Sequence, residues 1–233
     1  MAKLFLIPTT LANPINGHVL TNEQLTLINH LNIFIVETAK IGRQHLKQLN
    51  LSNSLQSLTI MELNKHQQEL VELINPLLNG NDVGILSDCG LPAVADPGNQ
   101  IVRLAHENNI EVVPLIGPSS LLLALMSSGV NGQSFAFNGY LPIDKLERKQ
   151  KLDYLVSQVN KISQSQIIIE APFRNQQLLE ILVHGLPNNF ILSLAINLMN
   201  SEQKVISHTI KKWKDLSKLP DINKQEVVFV FGV

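Results

Sequence analysis

The chain has 233 residues, 45% hydrophobic and 16% charged, with a formal net charge of −1 at neutral pH, which implies a globular protein with a large core in one long or two short domains and excludes a disordered one. The near-zero charge argues against a strongly basic nucleic-acid surface, and no apolar run approaches the roughly 20 residues of a membrane span. A single cysteine, Cys89, excludes an intrachain disulfide framework and fits a cytoplasmic protein, and no Cys/His cluster has metal spacing, so neither membrane nor metal is expected.

Residues 3–8 (KLFLIP) read as a short apolar strand ended by proline rather than as a cleaved leader. In the loop that follows, His18 is a possible base, but a lone loop histidine more often caps or faces water. Thr21 opens a helix with a capping pattern, and Leu25, Ile28 and Leu31 share one face. Residues 33–36 (IFIV) form a second buried strand that ends at Glu37. Residues 55–63 read as a strand, and residues 67–78 as a helix with Leu70, Leu73, Ile74 and Leu77 inward.

Residues 83–128 organise the chain. Two short apolar runs, 83–86 and 110–115, each stop in a loop of Gly, Pro, Ser and Asp: 87–98 (SDCGLPAVADPG) and 117–120 (GPSS). A helical pattern follows each loop, over 99–108 and 119–128. This strand–loop–helix alternation is that of a parallel α/β sheet, whose ligands bind beyond the carboxyl ends of the strands, where both loops fall. Prolines 92, 97 and 118 stiffen the loops, and Ser119 or Ser120 can cap the second helix. No GxGxxG and no Gly-Lys-Ser/Thr is present, so this is neither a dinucleotide fingerprint nor a Walker loop.

Residues 135–141 add a strand. A charged helix over 144–159 leads into strands at 166–170, 190–194, 204–209 and 227–233, with one helix at 175–183 and a basic segment near Trp213. Hairpin-like connections there suggest a mixed sheet with helices on one side, an α+β domain. The boundary is expected after Pro142, giving domains of 1–142 and 143–233. The basic runs 145–151 (KLERKQK) and 211–214 (KKWK) read as solvated faces of amphipathic segments.

Residues 87–98, 112–121 (VVPLIGPSSL) and 137–142 (FNGYLP) resemble the tetrapyrrole methylase superfamily, whose members carry SDAGTPGISDPG, VVPLPGPSALLAAL and FEGFLP in this order. Within it they look most like the ribosomal RNA small-subunit methyltransferase I branch, which methylates a cytidine ribose 2′-oxygen. The resemblance implies an α/β fold of two domains, the first with a mainly parallel sheet, the second a mixed α+β sheet closing the cofactor cleft. It implies S-adenosylmethionine as cofactor, a homodimer, and RNA or the small ribosomal subunit as substrate.

By the same resemblance together with the loop pattern, the cofactor is expected at Ser87, Asp88, Cys89, Gly90, Val94, Ile116, Gly117, Pro118, Ser119, Ser120, Phe137, Asn138 and Gly139. Ala171, Pro172, Leu198 and Met199 are expected to contribute from the second domain. Glu37 and Arg43 match the family's EDTRHTRR, with Lys40 for an arginine and Thr38 for an aspartate. Glu170, Pro172 and Arg174 match YESPHR, and His66 partially matches HEHNE. A ribose hydroxyl stays protonated at neutral pH and needs a base or a cation beside it, so Glu37, Arg43 and Glu170 are the catalytic candidates, with Lys40 and His66 behind them. Glu37 and Glu170 read equally well as salt-bridged structural carboxylates. Residues 195–203 depart from the family's ARELTKLHEE, with Ile196 for Arg, Asn197 for Glu and Asn200 for Lys. Three readings stay open: an RNA methyltransferase, a methylase of a tetrapyrrole or other small acceptor, and a non-catalytic paralogue that binds the cofactor or a partner.

Overall fold

The computed structural model describes residues 2–11, 18–63 and 67–233, with the side chains of 67–69 excepted; His66 and residues 12–17 of the first loop lie outside them. The chain divides into two compact units, Met1–Ser119 and Ser120–Val233.

In the first unit the elements are β1 (Lys3–Ile7), α1 (Asn22–Ile28), β2 (Ile33–Val36), α2 (Ala39–Leu49), β3 (Thr59–Glu62), α3 (Gln67–Leu78), β4 (Val83–Leu86), α4 (Asn99–Glu107) and β5 (Glu111–Pro114). The five strands are all parallel, in the order β3-β2-β4-β1-β5. Alternation along the strands separates two cores. Phe5, Ile7, Phe34, Val36 and Leu86 pack with Ile28 of α1 and Leu46 and Leu49 of α2. Leu4, Ile35, Val83 and Ile85 pack with Leu73 and Ile74 of α3 and Ile101 and Ala105 of α4. The helices thus cover both faces, as buried parallel strands require. The chain leaves β1 and β2 toward the α1–α2 face, and leaves β4, which lies between them, toward the α3–α4 face. That divergence opens the crevice at which open α/β sheets bind ligands.

The second unit contains α5 (Ser120–Ser128), β6 (Phe135–Phe137), α6 (Lys145–Ile162), β7 (Ser165–Ile169), α7 (Asn175–Gly185), β8 (Ile191–Ile196), β9 (Lys204–Thr209), α8 (Ile210–Asp215) and β10 (Val227–Gly232). Its sheet runs β6-β7-β10-β8-β9, parallel at β6–β7 and antiparallel elsewhere. One face, with Leu192, Leu194, Phe229 and Phe231, packs on α6, α7 and α8. The other is covered by α5, which lies along β8, β9 and β10, and Ser207 Oγ donates to the Ser128 carbonyl at 2.6 Å.

The mixed sheet is as expected, but helices occupy both of its faces rather than one. The units also divide at Ser119–Ser120 instead of after Pro142, because α5 is packed on the second sheet and β6 pairs with β7. Residues 55–63 begin with a 3-10 turn, Leu55–Ser57, so the strand is only Thr59–Glu62, and β6 stops at Phe137. The basic segment at Trp213 is a helix whose indole is 1% exposed and donates to the Leu192 carbonyl at 2.9 Å. Its cations are solvated while its tryptophan anchors it. Among the described residues no helix is long and apolar enough to cross a membrane.

Candidate functional site

At the carboxyl end of the first sheet, the β4 exit is braced from both sides. Asp88 accepts from the Thr38 amide at 3.0 Å and the Thr38 hydroxyl at 2.6 Å, while its own amide donates to Glu37 at 3.1 Å. The two strand exits therefore clamp each other. His45, 5% exposed, meets the Asp88 carbonyl through Nε2 at 3.0 Å. A carbonyl only accepts, so that nitrogen carries the proton. Glu62, ending β3, accepts from the Ala39 amide at 3.2 Å. The amides of Thr38 and Ala39, where α2 begins, are thus both taken by carboxylates.

On the other side, the Thr9 amide after β1 donates to the Gly90 carbonyl at 2.9 Å, and Gln24 Nε2 donates to the Ile116 carbonyl after β5 at 3.1 Å. Gly117 lies against Pro8, so close that a Cβ there would sit 2.1 Å from the proline Cβ. Exits of all five strands converge on this end.

The β4–α4 loop is itself held under strain. Ala93 and Ala95 adopt left-handed backbone, at φ 66° and 62°, which costs an L-residue about 1–2 kcal/mol each. Such strain clusters at binding sites, where the surroundings over-determine it. The brace here is Asp96, whose Oδ1 accepts from the Ala93 amide at 2.8 Å and the Gly98 amide at 2.7 Å. Val36, Glu37, Leu86, Asp96, Pro97 and Gly98 line a small hollow beside the loop.

Burial raises the Asp96 carboxyl above its ordinary 3.8, assisted by the charge of Asp88 and opposed by the two amide bonds. Because the native group binds its proton more tightly than the unfolded one, this residue's contribution is fully favourable below 3.8 and is lost as pH rises through the raised native value. Asp96→Asn keeps the Oδ1 acceptor and removes the charge. The variant should therefore gain stability relative to the wild type as pH rises from about 4 to neutrality. Thermal melts across that range test this, and parallel curves would refute it.

In the second unit, β7 and β8 both run antiparallel to β10, and β6 runs parallel to β7. The exits after Phe137, Ile169 and Ile196 therefore leave from one end of this sheet. The Asn138 amide donates to the Ile167 carbonyl at 2.9 Å and the Ile169 amide to the Gly139 carbonyl at 3.1 Å. Asn138 Nδ2 is turned to the Ala136 carbonyl at 3.2 Å and the buried Gln166 at 3.0 Å. Glu170 Oε1 accepts from the Ala171 amide at 2.7 Å and from Arg174 Nε and Nη2 at 3.0 and 2.6 Å. Pro172 accepts from the Lys224 amide at 3.0 Å. Asn197 and Met199 are left-handed, at φ 47° and 62°, and Asn197 Oδ1 accepts from the Glu226 amide at 3.1 Å.

The candidates read from the sequence thus fall into two groups. Glu37, Ser87, Asp88, Cys89, Gly90, Val94, Ile116, Gly117, Pro118 and Ser119 lie on strand exits of the first unit. Phe137, Asn138, Gly139, Glu170, Ala171, Pro172, Leu198 and Met199 lie on strand exits of the second. Ser120 is the first residue of α5, so Ser119 takes the N-cap position. Arg43 is exposed on α2 with no ion pair among the described residues, and Glu170 is held by Arg174. The sequence reading missed His45 and Glu62. Only Glu62 carried a signal, as a carboxylate closing a strand.

No protein-family profile matches the chain. It is 31% identical over 171 residues to a ribosomal RNA small subunit methyltransferase I of Vibrio cholerae, covering 73% of this chain and 56% of that protein. A protein of the same name from Hydrogenobaculum sp. is 26% identical over 233 residues, covering 99% and 95%. The chain spans little more than half the length of several such curated relatives. Among solved structures, the methyltransferase CobJ aligns over 100% of this chain and 94% of its own, with a TM-score of 0.64 and 13% identity. A uroporphyrin-III C-methyl transferase from Thermus thermophilus, complexed with S-adenyl homocysteine, aligns over 99% and 97%, with a TM-score of 0.56 and 13% identity. These likenesses in structure identify the fold.

Proposed function

From the premise that this chain belongs by fold to the tetrapyrrole methylase superfamily and resembles in sequence its small-subunit rRNA methyltransferase I branch, we propose that it is an S-adenosylmethionine-dependent RNA methyltransferase. The proposed acceptor is a ribose 2′-oxygen of small-subunit rRNA, as the relatives' name suggests. The observation that carries the reading is the strained β4–α4 loop, braced by Asp88 and Asp96 where the strand exits converge.

The donor set fits the cofactor. Carboxylates of Glu37, Asp88 and Asp96 gather at this end of the first sheet, and they suit a sulfonium cation and ribose hydroxyls better than a phosphate. When bound, the cofactor supplies an electrophilic methyl group on sulfur. Main chain of Ser87–Gly90, Val94 and residues 116–120 would hold and orient it. Phe137, Asn138, Gly139, Ala171, Pro172, Leu198 and Met199, on strand exits of the second unit, are proposed as cofactor contacts from the family resemblance alone. Glu37, fixed by the Asp88 amide, is the proposed acceptor of the hydroxyl proton, and exposed Arg43 the proposed phosphate contact. Glu170 is assigned a supporting role through Arg174. A homodimer in the cytoplasm completes the proposal.

Titration calorimetry with S-adenosylmethionine and S-adenosylhomocysteine tests it first, followed by methyl transfer to small-subunit rRNA. Saturable binding with transfer to RNA is expected, and folded protein that binds neither would refute the reading. Binding without transfer would favour the non-catalytic alternative, which draws on one observation: the Asn197 side chain, at a position where the family has Glu, is used to hold the Glu226 amide.

A further inference from the structure

We propose that Tyr140 and Phe173 form a stacking platform for unpaired bases of a single-stranded RNA, a property of the second unit that deepens, and rests on, the RNA reading above. The protein hides most of its large aromatic side chains: Phe5, Phe34, Phe190, Phe229, Phe231 and Trp213 are each 3% exposed or less. Phe135 within β6 and Tyr154 on α6 are also exposed, but Tyr140, 60% exposed, and Phe173, 71% exposed, share a position in the fold. Each follows a strand exit at the same end of the sheet. β6 and β7 are parallel neighbours, and the Ile169 amide donates to the Gly139 carbonyl at 3.1 Å. Tyr140 is the next residue after Gly139, and Phe173 closely follows Ile169.

Cations accompany both rings. The Arg174 guanidinium lies over Phe173, 5.6 Å from its centroid, and is fixed there by Glu170. The first turns of α6, which start at this end, expose Lys145 and Lys149. Of the nearby carboxylates, Asp144 is spent on capping, accepting from the Leu146 and Glu147 amides, Asp153 pairs with Lys149 and Glu170 with Arg174, and Glu147 is exposed. The cations Lys145 and Arg148 have no ion pair among the described residues. Exposed rings set among cations are what a single strand needs: faces for its bases and charge for its backbone. A duplex offers no free base faces. An acidic protein would use the cations and not the rings.

The test is fluorescence anisotropy with a labelled single-stranded RNA 12-mer of mixed sequence, and with the same sequence as a duplex. It uses the full chain, Tyr140→Ala, Phe173→Ala and the double variant. Each single change should weaken single-strand binding by about ten-fold and leave the salt slope unaltered, since neither ring neutralises a phosphate. Lys145→Ala with Lys149→Ala should flatten that slope instead. Phe173→Tyr should restore binding, which a merely structural role would not distinguish. Calorimetry with S-adenosylhomocysteine should be unchanged in every variant.

Wild-type affinity in the double variant would overturn the platform, as would preference for the duplex or no binding of RNA by the wild type. A fall in mass by light scattering for either ring variant would assign the face, with its exposed Ile143 and Leu146, to a second copy of the chain and also overturn it. A wild type that binds the single strand through these rings but transfers no methyl group would sink the functional reading and leave the platform standing.

Discussion

Gly117→Ala should cost the protein most of its cofactor binding and several degrees of thermal stability. A Cβ at this position would lie 2.1 Å from the Pro8 Cβ and 2.4 Å from its Cγ, well inside any contact distance. The obstacle is a ring closed on the backbone, so it cannot rotate aside, and the displacement has to pass into the chain. At Gly90, by contrast, the nearest obstacle is the tip of Leu11, at 2.9 Å. Pro8 is followed by Thr9, whose amide holds the Gly90 carbonyl. A shift forced at the β5 exit is therefore delivered to the β4 loop through the β1 exit.

Overpacking of this kind costs about 1–3 kcal/mol. For a chain of this size that is roughly 2–12 °C in melting temperature, and more than about ten-fold in S-adenosylhomocysteine affinity if the loop moves with it. Gly132→Ala is the control, because a Cβ there meets nothing within 4 Å. Pro8→Gly removes both clashing ring atoms and should recover part of the loss, giving coupling energy that two independent sites would not show. Wild-type binding by Gly117→Ala would contradict the packing of these two exits.

The strands of the first unit were legible because each is a short branched run stopped by turn residues, and a parallel sheet buried on both faces leaves that mark. The loops after β4 and β5 were legible because stiff loops draw on glycine and proline. The placement of α5 was not. Its sequence, SLLLALMSS, is apolar on nearly every side, so periodicity offers no face by which to choose a sheet, and proximity in sequence assigned it to the wrong unit. The braces of the site were hidden for a different reason. Asp88 and Thr38 are 50 residues apart, and Glu62 and Ala39 are 23 apart. No local pattern announces a carboxylate that will cap a distant strand exit. His45 lies on the buried side of an amphipathic helix, where its type alone says nothing about the carbonyl it meets.

Asp88→Ala should be the second most damaging change, through the pairing that the sequence concealed. Its carboxylate holds both the amide and the hydroxyl of Thr38, so truncation leaves a half-buried amide without its acceptor. Hydrogen bonds to a charged group contribute about 1.5–3 kcal/mol, and a loss near the upper figure is expected because two bonds go together. The consequence reaches further than stability. Thr38 is the residue from which α2 starts, and Glu37 beside it holds the Asp88 amide, so the proposed base loses its fixed position when the clamp opens.

Asp88→Asn, which keeps one acceptor oxygen, should lose about half as much. Thr38→Val, which removes the hydroxyl and spares the amide, should match it. The double change of Asp88→Ala with Thr38→Val should cost less than the two single changes added together, since they share a bond. Urea unfolding of the four variants measures this directly, and hydrogen exchange at the Thr38 amide reports the clamp itself. Strict additivity, with that amide as protected in Asp88→Ala as in the wild type, would mean that something other than Asp88 secures the start of α2, and the role given to Glu37 would fall with it.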